Sequence, residues 1–120
     1  MDNSKNKIPE PIISIAVESW RFSKVFSKIL NKLDATEQKK YFNQYRFYEK
    51  KTTEALAQLG LKIVNVEGQI FDPGMAVTPL NINEFNDEKS ELIVDQMIEP
   101  ILVNSDGVVK TGTVILMKKV

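Results

Sequence analysis

The chain has 120 residues, enough for one compact domain or for a helical part and a small sheet that share a core. Its 16 basic and 16 acidic side chains cancel, so composition gives no general attraction to nucleic acid or membranes. The absence of cysteine and histidine excludes disulfides, the usual zinc sites and nucleophiles that depend on Cys or His.

The first eleven residues are polar and contain Pro9 and Pro11, which predicts a flexible leader over residues 1–11. No cleavable signal pattern follows. The longest apolar run, residues 12–17, is far shorter than the roughly 20 residues that span a bilayer. We therefore expect a cytoplasmic protein without membrane contact.

A helical periodicity begins near Ile12 and continues to about Leu33. Its main apolar stripe has residues three or four positions apart: Ile15, Phe22, Phe26, Ile29, Leu30 and Leu33. Ile13, Val17 and Trp20 lie on nearly the opposite side of the same helix. Because a helix with two apolar sides needs two covers, we predict that these three residues contact a second copy of the chain.

The segment from Asp34 to Glu37 has the form of a capping box, in which Asp34 accepts a hydrogen bond from the backbone N–H of Glu37. A second helix is predicted to about Leu59, with Gly60 as its left-handed stop. Its stripe is Tyr41, Tyr45, Tyr48, Thr52, Ala55, Leu56 and Leu59. Since one hairpin over residues 12–60 buries too little apolar surface, we predict that two hairpins pair in a dimeric four-helix bundle.

Residues 61–120 are rich in β-branched side chains that alternate with a period near two, which predicts a small, mainly antiparallel β domain. Strand-forming segments cover residues 61–67, 69–77, 91–103 and 107–120. A tight hairpin is predicted at Asn104–Gly107, because Asp-Gly readily takes positive φ. Residues 81–91 are polar and read as a solvated loop. The fold class is therefore α+β.

No constellation in the chain indicates an enzyme. The glycine-rich loops that bind phosphates are missing. Four acidic residues cluster in the polar loop, at Glu84, Asp87, Glu88 and Glu91, but a flexible loop does not fix carboxylates as a hard cation requires. We expect no metal, no cofactor and no catalytic residues.

The second helix interleaves basic and aromatic residues, a pattern that can bind nucleic acid through phosphate contacts and stacking. Its basic residues are Lys39, Lys40, Arg46, Lys50 and Lys51. The tyrosines fall on the predicted core stripe, and Glu37, Glu49 and Glu54 dilute the charge. The sequence therefore favours an ordinary amphipathic helix, with a nucleic-acid-binding dimer as a third alternative. Phe47 points away from the stripe and marks a possible contact surface.

The order of these parts resembles the GrpE family, the nucleotide exchange factors of DnaK-type chaperones. The resemblance rests on ALAQLGLKIVNVEGQIFDPGMAV (residues 55–77) and DGVVKTGTVILMKKV (residues 106–120), and it extends over about residues 12–120. ESWRFSKVF (residues 18–26) is similar in position to a short helical segment of the family, with Arg21 on its arginine. The chain resembles a short form without the family's long N-terminal stalk helix.

The resemblance implies a co-chaperone without covalent chemistry. A homodimer would insert a β domain into the ATPase domain of a DnaK-type chaperone and promote ADP release. By position, the family's partner contacts fall on Phe71, Pro73, Ile98, Leu116, Gly107 and Arg21.

Three alternatives stay open. The FDPG stretch, residues 71–74, can be a structural corner, a partner contact or both. Ile98 and Leu116 can likewise be core residues, because alternate residues of a small sheet face its interior. The protein as a whole can also be a GrpE-derived scaffold that binds a partner without exchange activity.

Overall fold

A computed structural model of the chain describes residues 8–85 and 90–120. The chain divides into two compact units, Met1–Lys62 and Ile63–Val120. The division falls two residues after the predicted end of the helical hairpin at Gly60. Helices occupy the first unit and a small β structure follows, which confirms the α+β class.

Helix α1 spans Glu10–Leu30 and begins inside the predicted leader. Pro9 is its N-cap and Pro11 stands in the first turn, where a missing N–H breaks no intrahelical bond. The predicted end at Leu33 is wrong by three residues. The N–H of Leu33 donates to the carbonyl of Leu30 at 3.1 Å, so the chain leaves the helix through a tighter turn.

Helix α2 spans Ala35–Gln58. Its N-cap is Asp34, whose carboxylate accepts from the backbone N–H of Glu37 at 2.9 Å, as the sequence predicts. At the other end Gly60 has φ of 73°, the left-handed conformation predicted for the helix stop.

The two helices contact each other along one side of α1. The Ser19 and Tyr48 hydroxyls share a hydrogen bond, the Phe26 and Tyr45 rings lie 6.0 Å apart, and the Gln38 amide donates to the Leu30 carbonyl at 3.2 Å. Residues later in α1 contact residues earlier in α2, so the two helices of the hairpin are antiparallel.

Half of the predicted apolar stripe of α1 is exposed rather than buried. Leu30 is 3% exposed, but Ile15, Phe22 and Ile29 are 66%, 65% and 50% exposed. Helix α2 buries none of its side chains. The reason is geometric: α2 contacts the edge of the stripe that carries Phe26 and Leu30, and it leaves the rest of the stripe open.

The β unit forms two three-stranded sheets. The strands are β1 Lys62–Val64, β2 Val77–Pro79, β3 Leu92–Glu99, β4 Ile101–Asn104, β5 Gly107–Lys110 and β6 Gly112–Lys118. One sheet has the order β1-β4-β5 and the other β2-β6-β3. A short 3₁₀ turn at Ile82–Glu84 follows β2.

Pairing in the second sheet is mixed. β3 and β6 are antiparallel, whereas β2 runs parallel to β6, with Val77 opposite Gly112. The domain is mainly antiparallel, as predicted, with this parallel pair. β6 lies between β2 and β3, so β2 and β3 do not pair with each other.

The two long strand segments predicted over residues 91–103 and 107–120 are each broken once. Pro100 separates β3 from β4, and Thr111 separates β5 from β6. Proline removes a donor from the ladder, so a strand does not continue through it within a sheet. Each half joins a different sheet, and register shifts in β3 around Asp95 and Ile98 add to the bend.

The bend places one apolar core in the β unit. Its most deeply buried side chains, each less than 2% exposed, include Met97, Leu102, Val94 and Val114. Strands β4 and β5 form the hairpin predicted from Asn104–Gly107, and Gly107 has φ of 121°.

An asparagine side chain pairs with the backbone of β6 just past the end of β2. The Asn81 amide donates to the carbonyl of Leu116 and accepts from its N–H, both at 2.9 Å. One side chain therefore satisfies both backbone groups of a strand residue that β2 does not reach.

Gly112 lies where the backbones cross most closely. A Cβ atom there would stand 2.7 Å from the carbonyl oxygen of Glu99 and 2.7 Å from the terminal methyl of Met97. The Met97 methyl can move, but the Glu99 carbonyl belongs to the backbone of β3. Only glycine permits this approach.

We predict that Gly112→Ala destabilises the β unit by about 1–3 kcal/mol, as overpacking of a filled core does. The expected loss is several degrees of melting temperature in a thermal unfolding experiment followed by circular dichroism. Gly74→Ala is the matched control, because a Cβ there meets only the Asp72 carboxylate at 3.5 Å. Equal melting temperatures for the two variants would contradict the close approach.

Candidate protein-interaction surfaces

The FDPG stretch forms a turn held by its own aspartate. The Asp72 carboxylate accepts from the N–H of Gly74 at 2.9 Å, and the Asp72 carbonyl accepts from the N–H of Met75 at 2.9 Å. These two bonds form an Asx-type turn with Pro73 inside it. The structural role proposed for this corner is therefore present.

The corner is fastened to the sheet through the backbone before it. The N–H of Phe71 donates to the carbonyl of Leu92 at 2.7 Å, and Ile70 pairs with Ile93 of β3. Phe71 is half-buried, whereas Asp72, Pro73 and Gly74 are exposed. The turn is thus ordered by the sheet and presented to solvent, an arrangement that suits a rigid contact residue.

The other predicted contact residues of the β unit occupy unlike positions. Leu116 is 2% exposed and pairs with Val94 on the core face of the sheet, so its side chain is part of the core. Ile98 is half-buried beside a register shift of β3. Gly107 is exposed at the tip of the β4–β5 hairpin. Of these three, Ile98 and Gly107 remain reachable from outside.

Arg21 belongs to the helical unit. It is exposed on α1 and forms an ion pair with Glu18 one turn earlier, with 3.2 Å between the guanidinium and the carboxylate. Exposed pairs of this kind add little stability, so Arg21 can exchange its partner at small cost.

An apolar row on the outer face of the second sheet was missed from the sequence. Ile70, Ile93 and Met117 stand opposite one another on neighbouring strands, and Ile70 and Met117 are 51% and 37% exposed. The row leaves no signal in the sequence, because Leu92, Ile93 and Val94 are all apolar. Without alternation, the two faces of β3 could not be told apart.

The residues predicted as the dimer interface are largely covered within one chain. Ile13 and Val17 are 8% and 4% exposed, and Trp20 is half-buried with the Lys24 ammonium 5.1 Å from its ring. Their assignment to a dimer interface stays a prediction. The open apolar surface of α1 lies on its other side.

That open surface continues from α1 onto α2. A groove of about 230 Å³ between the helices is lined by Phe22, Ser23, Phe26, Gln44, Tyr45 and Tyr48. The groove joins the exposed side chains of the two helices into one apolar surface. We call it the hairpin face and define it as Ile15, Phe22, Val25 and Ile29 of α1 with Tyr41 and Tyr48 of α2.

Within residues 8–85 and 90–120 no three Asp or Glu side chains come together as a metal site. Of the acidic loop residues, Glu91 pairs with Lys119 at 3.3 Å, while Asp87 and Glu88 lie outside the described residues. Neither described helix has the length and apolar character that crossing a membrane would take.

No protein-family model matches the chain, and comparison with curated proteins and with solved structures finds no significant similarity. The resemblance to the GrpE family therefore rests on the residues quoted for it.

We predict that Asp72→Ala loosens the FDPG corner, because the turn loses the carboxylate that accepts from Gly74. The expected cost is about 0.5–1.5 kcal/mol, the usual net value of one hydrogen bond. Asp72→Asn keeps an acceptor oxygen and should melt close to the parent protein. A melting temperature of Asp72→Ala equal to that of Asp72→Asn would show that the carboxylate does not hold the turn.

Proposed function

We propose that the protein is a GrpE-like co-chaperone that promotes ADP release from a DnaK-type chaperone by holding its ATPase domain open. The observation that carries the proposal is the FDP corner. Directly after a helical hairpin, a small β unit presents an exposed Pro73 on a turn fixed by Asp72.

The mechanism requires binding and no bond chemistry. A factor that binds the open ATPase domain better than the closed one shifts the equilibrium towards the open state, and ADP leaves that state faster. Pro73 and the exposed edge of Phe71 form the contact, and Ile98, near the other end of β3, is a separate contact. Leu116 acts from the core by supporting the sheet, and Gly107 and Arg21 are further contacts.

The same proposal includes a homodimer joined through the hairpin face as a four-helix bundle. Its six side chains are 39–66% exposed and offer roughly 600 Å² of apolar surface per copy. A standard stable interface buries about 800 Å² per partner, and the polar side chains around the face supply the remainder. A second copy of the chain presents the same face and is the occupant that a twofold arrangement requires.

A scaffold protein without exchange activity is the second candidate, and two observations favour it. Gly107 offers no side chain at the hairpin tip, and Leu116 is buried. Two of the positions at which the family contacts its chaperone therefore contribute no exposed side chain.

We predict that Phe22→Glu converts a dimer into a monomer, because the bundle would bury one unpaired carboxylate from each copy. Light scattering coupled to size-exclusion chromatography measures the change at micromolar concentration. Phe47→Glu is the matched control, since Phe22 and Phe47 are 65% and 62% exposed and only Phe22 belongs to the hairpin face.

Two outcomes would refute this assignment. The parent protein could prove to be a folded monomer at the same concentration, or Phe47→Glu could dissociate the dimer as completely as Phe22→Glu. If Trp20→Glu alone dissociates a dimer without loss of helix content, the interface is instead the side with Ile13, Val17 and Trp20.

We predict that the protein accelerates ADP release from a DnaK-type chaperone of the source cell and that Pro73→Ala weakens this effect roughly tenfold. An apolar anchor in a desolvated contact typically contributes about 1–3 kcal/mol. Release of a fluorescent ADP analogue measures the rate. Leu80→Ala is the control, because Leu80 is exposed in the same unit but outside the corner.

Phe71→Ala separates contact from structure when its thermal melt is measured beside the release rate. A variant that stays folded and fails in exchange assigns Phe71 to the contact, and one that unfolds assigns it to the corner. Unchanged ADP release for every DnaK-type chaperone of the cell would reject the exchange function and leave the scaffold candidate.

A further inference from the structure

The two units carry opposite charges, although the chain as a whole is neutral. Residues 1–62 contain twelve Lys and Arg against seven Asp and Glu, a net charge of +5. Residues 63–120 contain four against nine, a net charge of −5. A neutral composition therefore conceals a basic helical unit, which is the electrostatic condition for binding a polyanion.

The basic residues of α2 share one side of the helix. In a helix that turns 100° per residue, one sector of the surface contains all five: Lys39, Lys40, Arg46, Lys50 and Lys51. The centre of this sector lies about 130° around the helix axis from Glu49 in one direction and about 130° from Tyr48 in the other. Asn43 and Phe47 lie in the same sector. We call this surface the basic face. Between Lys39 and Lys51 it contains no carboxylate, and Glu37 and Glu54 lie beyond its ends.

The cations of the basic face are exposed and free of carboxylate partners in the described structure. Each is exposed, and none has an ion pair within residues 8–85 and 90–120. Three of them instead lie over rings of the same helix: Lys40 over Tyr41 at 5.4 Å, Arg46 over Phe42 at 5.7 Å and Lys51 over Phe47 at 5.6 Å. These contacts order the cations without neutralising them.

The structure changes both reasons that favoured an ordinary amphipathic helix. The tyrosines of α2 are not buried in a core, since the helix buries no side chain. Glu37 and Glu49 project from other sides of the helix, so of the three carboxylates only Glu54 falls within the sector, one turn after Lys50. What remains is an exposed row of cations beside the ring of Phe47, which is 62% exposed.

We propose that the basic face of α2 binds single-stranded nucleic acid. Five cations over about 18 Å of helix supply positive charge along a length of several phosphates of one strand. Phe47 supplies a flat ring on which a base stacks, the second element of sequence-tolerant single-strand binding. A membrane surface fits less well, because the face carries one apolar side chain where a bilayer needs an apolar stripe.

The experiment uses the full chain and a fluorescently labelled single-stranded oligothymidylate, with binding measured by anisotropy from low to physiological salt. Binding should weaken with salt, with about 0.7 of a logarithmic unit of slope for each phosphate contact. Combined substitution Lys39→Gln, Arg46→Gln and Lys50→Gln should lower the slope by about 2. Phe47→Leu should weaken binding roughly tenfold and leave the slope unchanged.

The matched control removes the same charge elsewhere, with Lys28→Gln, Lys32→Gln and Lys118→Gln, and should bind like the parent protein. Circular dichroism verifies helix content, which glutamine should preserve because its helix propensity is close to that of lysine. The charge-conserving variant Lys39→Arg with Lys50→Arg should retain binding, so the proposal stays testable if the glutamine variant fails to fold.

Four outcomes would overturn the proposal. The parent protein could show no saturable binding at low salt, or the control and the basic-face variants could lose affinity equally. Phe47→Leu could bind as tightly as the parent protein. Polyglutamate of equal charge could compete as well as the oligonucleotide, which would assign the face to an acidic polypeptide.

Discussion

The Glu99 carbonyl and Gly112 are in contact at the point where the β unit bends. Strands β3 and β6 pair on one side of this crossing, and β4 and β5 pair on the other. The Glu99 carboxylate strengthens it by accepting from the Thr113 hydroxyl at 3.2 Å and by pairing with Lys110 at 3.5 Å. The backbone thus folds into two sheets around one core. The FDPG corner is fixed at the other end of β3, where the N–H of Phe71 donates to the carbonyl of Leu92.

The elements that the sequence predicted correctly are those with local causes. The Asp34 cap, the Gly60 stop and the turn before Gly107 each depend on one side chain or on the lack of one. The elements that it missed depend on distant residues. Pro100 reads as an interruption of a strand, but nothing nearby indicates that the halves join different sheets. Asn81 and Leu116 are 35 positions apart in the chain, so their hydrogen bonds leave no periodic pattern in the sequence.

The same distinction between local and distant causes decides which residues of the candidate surfaces were predictable from the sequence. Pro73 and Gly107 were predictable as exposed because turn residues occupy the surface. Leu116 and the row from Ile70 to Met117 lie on opposite faces of one sheet, and unbroken apolar runs gave the sequence no means of telling them apart. In the helical unit the periodicity found the apolar stripe of α1 but could not decide which side α2 covers. That choice depends on the pairing of Phe26 with Tyr45.

Helix α2 connects the stability of the protein to its association. A helix in water gains most of its stability from tertiary packing, yet this one has 24 residues and buries no side chain. Under the proposed function a second copy supplies the missing packing on the hairpin face.

The basic face lies on another side of α2, so dimerisation would leave it open and present it twice. Two linked sites bind one long strand more tightly than either does alone, because the second contact is intramolecular. The apolar FDPG contact depends little on salt and the basic face depends on it strongly, which makes the two binding activities separable in one protein.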